Sequence, residues 1–217
     1  MHVFDPERDD NILMIVFDAD EYLDKVQMPR ILDNMIASGA IPPVTAAFVH
    51  NMDALSRGRE LPANPDFADF LALELLPRLL RDTGLQADAR RTVLAGSSYG
   101  GLAAVSAVLR HPAKFGNALS MSGSFWWHPS GTPASHEEFI ARKIALGSEL
   151  NTRFFLSAGL FEEGRDGHAG ILRPNRHLRD VLQARGATVF HREYAGGHDY
   201  LVWRGAISDG LLALFGR

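Results

Sequence analysis

Two alternating apolar patterns run along this chain. Over residues 11–17, Ile12, Leu13, Met14, Ile15, Val16 and Phe17 form an unbroken apolar run, the pattern of a strand buried on both faces. Met28, Ile31, Leu32, Met35 and Ile36 then recur at spacings of three and four, which predicts a helix that stops near Gly39, with Pro42 and Pro43 beyond it. Residues 44–49 read as the next strand. Asn64 offers an N-cap and Pro65 suits the first helical position, so a helix is expected to about Arg81, kinked at Pro77 where a backbone donor is missing. Strands follow at 92–95, 117–121, 152–158 and 187–194. Helices follow at Leu102, Val105 and Leu109, at 174–184 up to Gly186, and at 206–215. Strands alternating with helices predict an α/β fold, a mostly parallel sheet with helices on both faces in a three-layer sandwich. At 217 residues the simplest organisation is one domain over the whole chain.

That topology says where chemistry belongs. In an open parallel sheet the loops after the strands share one rim, and ligands bind there. The rim segments are 18–22, 50–64, 97–99, 122–128, 160–168 and 195–203. One of them stands out. Gly96-Ser97-Ser98-Tyr99-Gly100 follows the strand over 92–95 directly and opens the small-residue helix that contains Gly101, Ala103 and Ala104. This is the pattern of a nucleophile elbow: strand, sharp turn, serine at the tip, helix. A serine hydroxyl is a weak nucleophile and needs a base beside it and backbone N–H groups aimed at the developing oxyanion. The flanking glycines let strand and helix approach closely.

Given Ser98 as nucleophile, His198 in Ala195-Gly196-Gly197-His198-Asp199-Tyr200 is the expected base, because it lies on the last rim loop. The chain order serine, acid, histidine is that of α/β-hydrolases. The acid that orients the imidazole should lie after the strand over 152–158, where Glu162, Asp166 and Glu163 are ranked in that order. Asp199, adjacent to the base, is instead expected to start the following helix. One oxyanion donor should be the N–H of Tyr99. A second should come from the turn Asp18-Ala19-Asp20-Glu21-Tyr22; its amides are not separable by sequence, and Ala19 is the one carried forward.

Composition narrows the chemistry. A net charge of −4 with no long basic run argues against nucleic acid, and the absence of cysteine excludes disulfides, thiolate metal sites and a cysteine nucleophile. No apolar run approaches the roughly 20 residues needed to span a bilayer, and residues 1–5 lack the features of a secretory signal, so a cytoplasmic bacterial setting is expected, with no membrane partner. Asp18, Asp20 and Glu21 read as a solvated acidic turn rather than a metal site, His50 and Asn51 as a satisfied structural pair, and His168 and His177 do not make a zinc motif. Residues 164–170 read as the edge of a lid rather than a phosphate cradle. No cofactor and no metal are expected.

Further segments carry a resemblance. Gly96-Ser97-Ser98-Tyr99-Gly100-Gly101-Leu102, Ser122-Gly123-Ser124-Phe125-Trp126-Trp127 and Gly196-Gly197-His198-Asp199-Tyr200, with Asp53-Ala54-Leu55-Ser56-Arg57, Glu60-Leu61 and Asn64, resemble the enterochelin esterase family of α/β-hydrolases over essentially the whole chain. The resemblance implies hydrolysis of carboxylic esters, in several members the ester backbone of a catecholate siderophore such as enterobactin. The N-terminal substrate-binding domain of the larger members is expected to be absent, and residues 1–6 look like the end of the family's early antiparallel strand. A serine esterase acting on aryl or short-chain esters is therefore expected in preference to a ferric-siderophore hydrolase. Phe125, Trp126 and Trp127 would wall the substrate site, with at least one ring lining it and others plugging the core. Arg57 would hold an anionic or phenolic substrate group or pair with Glu60. The expected partner is a small ester molecule; a homodimer stays open. Two other readings also remain open: acyl transfer to an alcohol or sugar on the same residues, and a non-catalytic binding module.

Overall fold

The structure is a computed structural model and describes residues 10–133, 137–164 and 170–217. The early strand expected over residues 1–6, and Asp166 and His168, lie outside these residues. Six strands, β1 (Ile12–Phe17), β2 (Val44–Val49), β3 (Thr92–Ser97), β4 (Asn117–Met121), β5 (Arg153–Gly159) and β6 (Thr188–Tyr194), form one sheet. Its order is β2-β1-β3-β4-β5-β6, and every neighbouring pair is parallel. β1 is buried along its whole length, as an unbroken apolar run requires of a central strand.

Helices cover both faces. Leu13, Ile15 and Phe17 point into a core with Leu102, Val105, Ile140 and Leu178, residues of α6 (Tyr99–Arg110), α7 (Phe139–Ala145) and α8 (Leu172–Ala184). Ile12, Met14 and Val16 point the other way, onto α1 (Ala19–Asp24), α2 (Met28–Ala37) and α9 (Tyr200–Phe215) through Tyr22, Leu32, Trp203 and Ile207. The period of two along β1 thus feeds two cores, one on each side.

The chain order reverses between β1 and β3: β2 lies on one side of β1, and every later strand lies on the other. The loops after β1 and β3 open at that switch point, where an open α/β sheet leaves a crevice. This places the turn at Asp18 beside the turn at Ser98.

Several elements differ from the sequence expectation. The helix through Pro77 is irregular next to the proline, where a kink is expected. It runs from α4 (Pro65–Phe70) through a π-helical turn at Leu71–Leu75 into α5 (Leu76–Thr83). The wide turn just before Pro77 absorbs the lost hydrogen bond and the ring's clash with the preceding carbonyl. α1 and α3 (Ala54–Glu60) lie in stretches read as rim loops, and α7 in one given no element, because each is too short to show a helical period. α9 begins at Tyr200, directly after its cap Asp199, six residues before the periodic stretch read over 206–215. Its buried stripe of Trp203, Ala206, Ile207, Gly210, Leu211 and Leu214 keeps helical spacing throughout, but the exposed Leu201 hides its start.

Candidate active site

β3 ends at Ser97 and α6 begins at Tyr99, so Ser98 alone makes the turn. Its backbone sits at φ 56°, ψ −121°, a conformation costly for any side chain with a Cβ. Neighbouring backbone holds it there. The Ser98 N–H donates to the Met121 carbonyl (3.0 Å), and its own carbonyl accepts from Leu102 and Ser124 N–H groups (3.1 Å each). A Cβ on Gly96 would stand 2.7 Å from the Gly100 carbonyl carbon, and one on Gly101 would stand 2.4 Å from Ser120 Oγ. Only glycine allows strand and helix to pack this closely. The Ser98 hydroxyl lies 3.3 Å from that of Ser124, itself buried.

The last two rim loops meet over this turn. A Cβ on Gly159 would stand 2.3 Å from the Gly196 carbonyl oxygen, and Phe161 N–H donates to that same oxygen (3.0 Å). Glu162, on the first loop, therefore reaches His198, on the second. Glu162 Oε1 pairs with His198 Nδ1. Its other oxygen accepts from Ser122 Oγ (2.8 Å) and the Gly159 N–H (2.5 Å). The Glu162 side chain is 3% exposed and the imidazole 40%, so the carboxylate is sealed under a ring that still meets solvent. The Trp203 ring meets the imidazole at near right angles, centroids 4.9 Å apart. Asp199 caps α9, accepting from the Leu201 and Val202 N–H groups.

Ser98, Ser124, Trp126, Phe161, Glu162, Glu163 and His198 line one cavity of about 330 Å³, with Gly170 and Ile171 at its edge. Glu163 is exposed and pairs its backbone with Gly170. The three aromatic residues after Ser124 divide. Phe125 is 1% exposed and belongs to the core. Trp127 packs edge-on against Phe139 and the same core. Trp126, 37% exposed, lines the cavity and tilts against Tyr99 at 6.3 Å. Phe161, 72% exposed, forms another part of the wall. Sequence reasoning missed it, although a large apolar residue directly before the acid, on a rim loop, was the available signal.

The turn after β1 corrects three expectations. Asp18 is not solvated: it is 4% exposed, at φ 57°, and held by Arg57. Arg57 donates through Nε and Nη2 to the two Asp18 oxygens (2.7 and 2.8 Å), and Asn51 Nδ2 donates to Oδ1 (2.7 Å). Arg57 thus pairs with Asp18 rather than with Glu60, which meets Arg59 instead. The reason is reach across the switch point, where a buried carboxylate needs a bidentate partner and the half-exposed Glu60 does not. The Arg57 guanidinium also lies over the Tyr99 ring at 5.8 Å. His50 and Asn51 are satisfied by this turn rather than by each other, since His50 Nδ1 meets Asp20 Oδ1 at 3.1 Å. A Cβ on Gly100 would stand 3.3 Å from Asp18 Oδ2, which measures how near this turn is to the elbow. Ala19, the first residue of α1, is buried there.

Among the described residues no cluster of His, Asp and Glu has the makings of a metal site; His177 pairs with Glu138. No helix among them is long and apolar enough to cross a membrane.

A parallel sheet with a strained serine at the β3–α6 turn, at a topological switch point, has the architecture of an α/β-hydrolase. The chain belongs to the Esterase family, whose model matches residues 5–214. It is 34% identical to the iron(III) enterobactin esterase of Dickeya dadantii over 205 residues, covering 91% of this chain and 46% of that one. It is 32% identical to the iron(III) enterobactin esterase of Escherichia coli K12, covering 97% of this chain and 51% of that one. The enterobactin esterase of Shigella flexneri, solved in the presence of enterobactin, superposes with a TM-score of 0.85 at 31% identity, covering 97% of this chain and 53% of that one. The chain spans about half the length of these relatives.

Proposed function

We propose that this chain hydrolyses carboxylic esters through an acyl-enzyme on Ser98. One observation carries the reading: a serine forced to φ 56° shares one cavity with a histidine whose Nδ1 is paired to a buried carboxylate. That pairing assigns the Nδ1 proton to the Glu162 side and leaves Nε2 to take the serine proton. Ser98 Oγ attacks the carbonyl carbon as His198 Nε2 accepts its proton. The tetrahedral oxyanion is met by the Tyr99 N–H, one of the first-turn donors of α6 that have no intrahelical acceptor. The Ala19 N–H, across the switch point, is the second donor. His198 returns its proton to the leaving alkoxide, the C–O bond breaks, and the alcohol departs. Water, deprotonated by His198, then attacks the acyl-enzyme and restores Ser98.

The substrate class follows from the wall. Trp126 and Phe161 present ring surface to the cavity, which suits aryl or short apolar groups. The relatives named above are enterobactin esterases, so a catechol-bearing ester is the aryl substrate to include first. A hydrolysis panel tests the reading: p-nitrophenyl acetate, butyrate and octanoate, a feruloyl ester, and enterobactin with and without iron. Turnover of aryl or short-chain esters that disappears in Ser98→Ala supports it. Turnover unaffected by that change overturns it.

A further inference from the structure

The buried groups behind the acid form a chain with only one consistent arrangement of protons. Trp203 Nε1 lies 2.9 Å from Ser122 Oγ. An indole N–H can only donate, so Ser122 must accept from it. That leaves the single Ser122 proton for Glu162 Oε2, 2.8 Å away. The Gly159 N–H supplies a second donor to the same oxygen. With Oε2 filled by donors, Oε1 is the free face of the carboxylate, and it meets His198 Nδ1. A carboxylate oxygen can only accept, so this pairing takes Nδ1 of His198 as the donor and leaves Nε2 as acceptor.

Ser122 and Trp203 are 1% and 4% exposed, so water does not substitute for either. Ser122 sits at φ 48°, where glycine would be unstrained. The backbone there is pinned by its N–H to the Ser157 carbonyl (2.7 Å). The chain thus keeps a hydroxyl at a position whose backbone favours glycine, the mark of strain retained for a use. Trp203 acts twice: its N–H orients Ser122, and its ring stands against the imidazole.

We propose that Ser122 and Trp203 are positioning residues that hold the Glu162 carboxylate and, through it, the productive tautomer of His198. This rests on the assignment of Ser98, His198 and Glu162 made above. Neither residue touches substrate. They act through the acid, and so on kcat rather than on binding.

The test is a double-mutant cycle on the ester that turns over best. Ser122→Gly removes the hydroxyl and relieves the backbone, which offsets part of the cost of leaving the buried Trp203 N–H and Glu162 Oε2 each a partner short, so the protein should still fold with at most a modest drop in melting temperature. It should lose about 10- to 100-fold in kcat, the size of one hydrogen bond to a charged group, with KM within about twofold. In a Glu162→Gln background the same change should cost less than about twofold, because the group it positions is already gone. Trp203→Phe, which keeps a ring and removes the donor, should lower kcat in the same direction and be likewise silent behind Glu162→Gln. Wild-type kcat in Ser122→Gly while Glu162→Gln is crippled overturns this proposal and leaves the triad standing. So do losses that multiply in the double variant. Full activity in Glu162→Gln overturns the triad assignment itself and this proposal with it.

Discussion

Glu162 and His198 are thirty-six residues apart, yet the carboxylate of one meets Nδ1 of the other. Gly159 and Gly196 make this contact feasible by letting the loops after β5 and β6 touch through backbone. Glu163, the next residue, is exposed and pairs its backbone with Gly170. The two acids should therefore behave differently. Glu162→Gln should cost about 10²- to 10⁴-fold in kcat, whereas Glu163→Gln should stay within a few-fold of wild type. Steady-state kinetics on one activated ester decides this, and equal losses would remove Glu162 from the acid's role.

The elbow glycines make a stability prediction. Ala at Gly96 would put its methyl group 2.7 Å from the Gly100 carbonyl carbon, and both are backbone positions that cannot step aside. Gly96→Ala should destabilise by about 1–3 kcal/mol or more. Gly197→Ala, where no atom lies within 4 Å of the new methyl, should change stability by less than about 0.5 kcal/mol. Denaturant melts of the two variants side by side test the contrast.

How much of this was legible in the sequence depended on the length of each pattern. The alternating strands and helices gave the sheet class, and Ser98 stood out because strand, serine and helix are contiguous. His198 followed from chain order, and Glu162 from its closeness to the end of β5. The short α1, α3 and α7 left no periodic trace. The Asp18–Arg57 pair was illegible for a different reason. It joins residues thirty-nine apart across the switch point, and nothing local in Arg57 distinguishes Asp18 from the nearer Glu60. Among the aromatic residues, sequence shows three rings in a row but not which points outward. The turn at Ser122 sends Phe125 inward and Trp126 to the cavity.

Trp126 makes a specificity prediction. Its ring lines the cavity beside Ser98 and rests against Tyr99. Trp126→Ala should raise KM for aryl esters several-fold, consistent with about 0.5–1.5 kcal/mol of ring contact beyond burial, and should change KM for acetate esters less. An equal rise for both classes would mean that the indole only shapes the cavity mouth.

His191 gives the fold a pH dependence away from the site. Burial first, then the nearby Arg179, holds its imidazole below the usual histidine range; Glu193 pulls the other way, followed by a further lowering from Arg176 and a raising from Asp180. A depressed histidine contributes stability above its unfolded value and loses it as pH falls, because the unfolded chain takes up the proton first. Melting temperature should therefore fall from about pH 7.5 to about pH 5.5, and His191→Gln should flatten part of that fall. An unchanged slope in His191→Gln would show that other groups carry it.

The central claim is that Ser98 is the nucleophile, and covalent capture tests it most directly. A fluorophosphonate probe should add once per chain, and peptide mass mapping should place the adduct on Ser98. Ser98→Ala should take up no label, and His198→Ala should label orders of magnitude more slowly, because the hydroxyl then has no base to accept its proton. Ester hydrolysis by a protein that resists the probe, or an adduct on any residue other than Ser98, would contradict the account.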